Sequence, residues 1–260
     1  MRLPLFQVDA FTSRVFGGNP AAVCPLDAWL PDADMQAIAL ENNLSETAFF
    51  VREANGFRLR WFTPTQEVDL CGHATLAAAW VLFHRWESGL TRVEFATRSG
   101  TLGVTQEADG WLAMDFPSRP PTPCPVPAGL VEALGATPRE TFASRDLVAV
   151  FDSEEQVRAL RPDLARLAAL DTFAVVPTAP GKRVDFVSRF FAPRAGVPED
   201  PVTGSAHCSL VPYWAKRLGK TSLLAHQVSA RGGELRCEEK GPRVRISGQA
   251  ALYLEGFITW

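Results

Sequence analysis

Glu67-Val-Asp-Leu-Cys-Gly-His-Ala-Thr-Leu-Ala-Ala-Ala-Trp-Val-Leu-Phe83 runs from a tight polar turn straight into an apolar helix. Ala74, Ala77, Ala78, Ala79, Val81, Leu82 and Phe83 leave almost no polar face, so this helix is expected to be buried on nearly every side. Its first turn still carries free N–H groups, and Gly72 lets the backbone approach a bound group closely. A carboxylate is the natural partner for those donors and for the positive end of the helix dipole. Asp200-Pro-Val-Thr-Gly-Ser-Ala-His-Cys-Ser-Leu-Val-Pro-Tyr-Trp-Ala215 repeats the layout: an acid, a glycine, a small polar residue, then an apolar helix carrying a Trp. Each copy follows a similar strand, Arg60-Trp-Phe-Thr-Pro64 in the first and Arg189-Phe-Phe-Ala-Pro193 in the second. The copies lie 129 to 132 positions apart in a chain of 260 residues, the offset of a duplicated domain.

Pro117-Ser-Arg-Pro-Pro-Thr-Pro-Cys-Pro-Val-Pro127 holds too many prolines for a helix or a central strand, which puts the domain boundary there. The expected domains are 1–116 and 117–260, with the last strand, 251–259, a candidate to return to the first. A hydrophobic content of 47% is enough for two modest cores. The net charge of -3 argues against nucleic acid or a membrane surface as partner and favours a small polar ligand. Five cysteines without a CxxC pair suggest reduced thiols. The N-terminus lacks a signal-peptide core and no run of eighteen apolar residues occurs, so the expected setting is cytoplasmic.

Hydrophobic spacing predicts strands at 5–11, 47–51 and 57–62, the last two joined by the hairpin signal Ala54-Asn55-Gly56, and a helix over 32–43. Further strands are expected near 93–96, 102–106 and 111–116. In the second half the pattern gives helices near 130–134 and over 154–167. Strands are expected at 147–151, 173–176 and 184–191, then a meander from 227 to 258. The expected fold class is α+β, two similar domains, each a curled, mostly antiparallel sheet around a central buried helix, joined by short antiparallel connections rather than regular βαβ units.

Glu46 lies between a helix end and an apolar strand with Phe49 and Phe50 close by. Burial there would favour its protonated form and let it exchange protons near neutral pH, although a capping or solvated Glu fits the same position. Asp69 and His73 bracket Cys71 and Gly72, as Asp200 and Ser205 bracket Gly204. His73, at a helix start, is expected to be held neutral by the dipole. Cys71 occupies a slot where thiols become nucleophilic, but Thr203 stands in the corresponding slot, which argues against a two-thiol mechanism. Cys71, His73, His207 and Cys208 match no zinc spacing, so no metal is expected. Phosphate loops, dinucleotide fingerprints and a GxSxG elbow are absent. Gln227, Arg231, Gly232 and Gly233 read as a polar, flexible segment, either an exposed hairpin or a flap over a ligand.

The motifs Asp9-Ala-Phe-Thr, Phe16-Gly-Gly-Asn-Pro-Ala-Ala-Val23, Asn43-Leu-Ser-Glu-Thr-Ala-Phe49, Asp69-Leu-Cys-Gly-His-Ala-Thr75 and Asp200-Pro-Val-Thr-Gly-Ser-Ala206 together resemble the PhzF-like family of the diaminopimelate epimerase superfamily. The resemblance covers essentially the whole chain. It implies two similar domains with an active site in the cleft between them, often a homodimer, and isomerase chemistry without a cofactor. It implies Glu46, His73 and Asp200 as catalytic residues, with Glu46 moving the proton. Asn19, Cys71, Gly72, Gly204 and Ser205 would then bind a small carboxylate-bearing substrate. A binding protein for an acidic metabolite, or a thiol-dependent amino-acid epimerase acting through Cys71, are the alternatives.

Overall fold

The computed structural model describes residues 2–54 and 56–260; Asn55, the middle of the expected hairpin signal, lies outside them. The chain divides into two compact units, residues 1–115 with 247–260, and residues 116–246.

Unit 1 contains β1 (Arg2–Ala10), β2 (Asn19–Leu26), α1 (Asp32–Asn42), β3 (Glu46–Glu53), β4 (Gly56–Phe62), β5 (Glu67–Val68), α2 (Gly72–Val81), β6 (Arg92–Thr97), β7 (Gly100–Gln106) and β8 (Leu112–Pro117), at whose end unit 2 begins. Unit 2 contains β9 (Thr122–Pro123), α3 (Leu130–Leu134), β10 (Glu140–Ala143), β11 (Leu147–Val150), α4 (Glu154–Ala159), α5 (Leu164–Ala169), β12 (Val175–Pro180), β13 (Phe186–Ser188), α6 (Gly204–Leu218), β14 (Ser222–Gln227), β15 (Gly233–Lys240) and β16 (Arg243–Gly248). The final strand β17 (Ala250–Thr259) belongs to unit 1, where it pairs antiparallel with β1 from Arg2↔Thr259 to Ala10↔Ala250.

The duplication is visible in the strand pairing. Unit 1 runs β17-β1-β2-β3-β4-β6-β7, with pairs that are antiparallel, antiparallel, parallel, antiparallel, parallel and antiparallel. Unit 2 runs β9-β10-β11-β12-β13-β14-β15 in the same succession of senses. Strand β17 therefore fills in unit 1 the edge position that β9 fills in unit 2. Parallel neighbours need a crossover. Helices α1 and α2 bridge β2 to β3 and β4 to β6, and α4–α5 and α6 do the same for β11 to β12 and β13 to β14. This corrects the expectation of short antiparallel connections only: each unit holds two β–α–β crossovers inside a mixed sheet.

Helix α2 is buried at His73 through Ala79 and at Val81, and it packs on β1, β2, β3 and β17. Alanine allows this, because a backbone so close to the sheet leaves no room for longer side chains. One wider helical turn, Leu82–Trp86, continues it. In unit 2, Trp214 of α6 stacks on Phe186 of β13 with ring centroids 5.7 Å apart and donates its indole N–H to Thr178 Oγ1 at 3.0 Å. The helix expected over 154–167 is two short ones, separated at Leu160-Arg161-Pro162; the proline ends the hydrogen-bonded run, and Ser153 and Asp163 each cap a new start. The meander expected from 227 to 258 begins earlier, with β14 ending at Gln227 and residues 228–232 forming a turn before β15.

Gly18 is held at φ +60°, where a Cβ would lie 2.0 Å from the Ala10 carbonyl oxygen, so only glycine fits the turn between β1 and β2. The buried Asp9 carboxylate accepts the Phe16 N–H at 2.8 Å and pins the same turn. Among the described residues no helix is long and apolar enough to cross a membrane.

Candidate active site

Each copy of the repeat first fixes its strand to its turn with one arginine. Arg60 on β4 makes a two-pronged ion pair with Glu67, 2.8 Å at both Nε and Nη2. Arg189, following β13, does the same with Glu199 at 2.7 and 2.9 Å. Planar guanidinium and carboxylate groups fit in this register only, so the pair sets where the following turn begins. Cys71 and Thr203, 132 positions apart, are the helix N-caps in extended conformation, and neither α2 nor α6 is capped by a side chain. The carbonyl of each cap is held by the side chain four residues on: Thr75 Oγ1 donates to Cys71 O at 2.5 Å, and His207 Nδ1 donates to Thr203 O at 2.9 Å. The helix starts are thereby rigid while their leading N–H groups stay uncapped, which is the requirement for an anion-holding turn.

In unit 1 the structure brings together Asn19, Glu46, Cys71, Gly72 and His73. Glu46 opens β3 and is delivered by the tight end of α1, where Asn43 adopts the left-handed conformation and Asn42 Nδ2 donates to Thr47 Oγ1 at 3.1 Å. Asn19 opens β2 directly after Gly18 and is fully buried. Its Nδ2 lies 3.2 Å from His73 Nδ1, and its Oδ1 accepts the Ser45 hydroxyl at 3.3 Å. His73 Nε2 lies 3.0 Å from Glu46 Oε2. The approach is close enough for an ion pair but is not aligned as a hydrogen bond, and both atoms are buried with no hydrogen-bond partner among the described residues. Two strongly polar atoms are thus held together at a buried position beside a helix start that no side chain caps.

Burial alone pulls His73 toward the neutral form, while the neighbouring Cys71 and Glu46 push the other way and prevail, so its pKa is raised well above the ordinary value. The expectation of a neutral His73 is corrected: Cys71 and Glu46 together outweigh the effect of burial. Cys71 Sγ lies 3.5 Å from His73 Nδ1, and its thiol is pushed up to about 11, first by burial and then by the Glu46 charge. At neutral pH Cys71 is therefore held as a thiol. A charged ring needs an acceptor at Nδ1, which the Cys71 sulfur at 3.5 Å can supply.

Glu46, Cys71 and His73 each offer a ligand atom within 4.8 Å of the others. A preformed site for one ion would gather its partners on one ring nitrogen. Here Cys71 faces Nδ1 and Glu46 faces Nε2, so the grouping suits a proton relay better than a metal.

In unit 2 the structure brings together Asp200, Thr203, Gly204 and Ser205. Thr203 Oγ1 donates to Asp200 Oδ2, which fixes the acid. Gln227 holds the whole turn: its Oε1 accepts Thr203 N–H at 2.8 Å, and its Nε2 donates to Asp200 O at 2.8 Å and Thr203 Oγ1 at 3.2 Å. The expectation that Gln227 is flexible and exposed is corrected, since it is 1% exposed at the end of β14. Ser205 Oγ accepts Arg145 Nη2 at 3.1 Å, which leaves the serine hydrogen free to be donated. Sequence reading missed Arg145; no motif surrounds it, and only the loop between β10 and β11 carries it to α6.

The family model described as phenazine biosynthesis-like protein matches residues 8–256. Uncharacterized isomerase PA2770 of Pseudomonas aeruginosa is 59% identical over 258 residues, which are 99% of each chain. The crystal structure of a PhzF-family phenazine biosynthesis protein from Enterococcus faecalis superposes with a TM-score of 0.98 at 49% identity, covering 100% of both chains. A hydroxyproline epimerase from Agrobacterium vitis, 10% identical with a TM-score of 0.64 over 99% of this chain and 92% of its own, shares the fold. The chain therefore belongs to the phenazine biosynthesis-like, or PhzF, family.

Proposed function

We propose that the protein is an isomerase that moves a proton on a small carboxylate-bearing substrate by general acid/base catalysis, with Glu46 as the proton-transfer group and no organic cofactor or metal. The observation that carries this reading is the Glu46–His73 pair at the start of α2, whose facing atoms Oε2 and Nε2 are buried 3.0 Å apart and have no hydrogen-bond partner among the described residues. The isomerase names of its relatives support it. Glu46 takes a proton from a C–H bond and returns it elsewhere on the substrate, with the His73 ring beside it as partner. Uncapped N–H groups at Gly72 hold negative charge. In unit 2, Gly204 and the free hydroxyl hydrogen of Ser205 are assigned to substrate binding, and Asp200 is the acid that Thr203 and Gln227 hold in place. Base catalysis of this kind contributes about 10²–10⁴-fold. The thiol route through Cys71 is disfavoured because burial keeps that group protonated.

The test is to incubate the protein with a panel of unsaturated and cyclic acids and amino acids in heavy water, following deuterium at carbon by NMR. Exchange by the wild type that drops by at least about 10²-fold in Glu46→Gln supports the assignment. Equal exchange in the two proteins refutes it.

A further inference from the structure

Unit 2 contains a cavity of about 750 Å³, within the usual size range of small-molecule sites. Its apolar walls come from Pro125, Pro127, Leu147 and Leu170, and its charged groups are Arg145, Arg194, Asp146 and Asp171, with Ser144 and Thr172 beside them. Phe173 stands at this cavity and is 50% exposed, which is unusual for so large an aromatic ring. The Arg145 guanidinium lies over the Phe173 ring, 4.9 Å from its centroid, so cation and aromatic face are already paired at the wall.

Charge is presented unevenly. Asp146 is buried, and both its oxygens are taken by Arg145, at 2.9 Å from Nε and from Nη2. Arg145 Nη2 also donates to Ser205, but Nη1 has no partner among the described residues. Arg194 uses only Nη1, in long contacts of 3.4 Å to Leu170 O and to the fully exposed Asp171. The acids are thus either consumed or out in solvent, and the unused hydrogen-bonding capacity at the walls is guanidinium N–H. Such a surface recognises an anion with a flat apolar body.

We propose that this cavity is a binding site for a small aromatic or otherwise flat organic carboxylate, held by Arg145 and Arg194 and stacked on Phe173. The test of this site does not depend on turnover. The probe is 2-naphthoate, with uncharged 2-naphthamide as control, in calorimetric titration of the full chain. Saturable binding is expected, weakened by about tenfold or more in each of Arg194→Gln and Phe173→Ala, and weak for the amide. Both positions are exposed, so these variants are expected to keep wild-type melting temperatures, and Glu46→Gln is expected to bind 2-naphthoate as the wild type does. Absence of saturable binding at millimolar probe would overturn the proposal, as would equal affinity for acid and amide. So would affinity that is unchanged in both cavity variants, or lost in Glu46→Gln instead.

Discussion

His207 sits in the second turn of α6, fully buried, with Nδ1 bonded to the Thr203 carbonyl and Nε2 without a partner among the described residues. Burial pushes its pKa down from 6.5 to about 4, against the smaller opposing effect of the Thr203 bond. The unfolded chain therefore takes up a proton below about pH 6.5 that the folded chain refuses until about pH 4. Stability is complete above that window and falls as pH drops through it, by up to about 3 kcal/mol. His73 acts in the opposite sense: its raised pKa adds stability at low pH that is lost as pH rises. His207→Gln is expected to flatten the acid limb between pH 6.5 and 4 in urea titrations, while Thr203 keeps a hydrogen-bond donor; an unchanged limb would assign the acid sensitivity elsewhere. A histidine in an apolar helix is visible in a sequence, but its missing partner at Nε2 is not. Glu46 and His73 were legible as candidates from their turns, whereas their 3.0 Å approach, which together with Cys71 reverses the expected charge of His73, depends on two segments meeting across β2 and β3.

At the scale of elements, the glycine-rich turn before β2 controls where Asn19 and hence His73 stand. Gly18→Ala would place a methyl group 2.0 Å from the Ala10 carbonyl oxygen at a positive φ. The expected cost is about 1–3 kcal/mol, read as a lower melting temperature, together with loss of proton-transfer activity as Asn19 shifts. A variant with wild-type stability and activity would show that the turn has another way to close. Buried helices α2 and α6 were readable because an uninterrupted apolar run of that length has few other uses. The four crossovers were not, because α1 has too short an apolar stripe, and α4–α5 is broken at Pro162, to announce that each bridges parallel strands. Gln227 was misread for a related reason: a polar residue next to Arg231-Gly-Gly looks exposed until the turn it fastens is known.

At the scale of the molecule, the chain returns to its beginning. Strand β17 covers β1 along its whole length, and Gly248 just before it lies under Phe11, where a Cβ would come within 2.3 Å of the ring. Deleting residues 250–260 is expected to raise hydrogen exchange in the β1 amides that face β17 and to lower stability, while β10–β12 of unit 2 keep their protection. Unchanged β1 protection would mean that another element takes over the edge. The repeat, and the candidacy of 251–259 to return, could be read from the 129- to 132-residue offset and the Pro-rich stretch. That β17 takes the place β9 holds in unit 2 needed the pairing senses of both sheets.

The central claim is that the proton moves through a carboxylate and not through a thiol. Deuterium incorporation at carbon, measured by NMR in heavy water for Glu46→Gln and Cys71→Ala side by side on the best substrate of the panel, tests it most directly. The account predicts exchange abolished in Glu46→Gln and retained in Cys71→Ala. Exchange that survives the loss of Glu46 and disappears with Cys71 would contradict it and move the chemistry to the thiol.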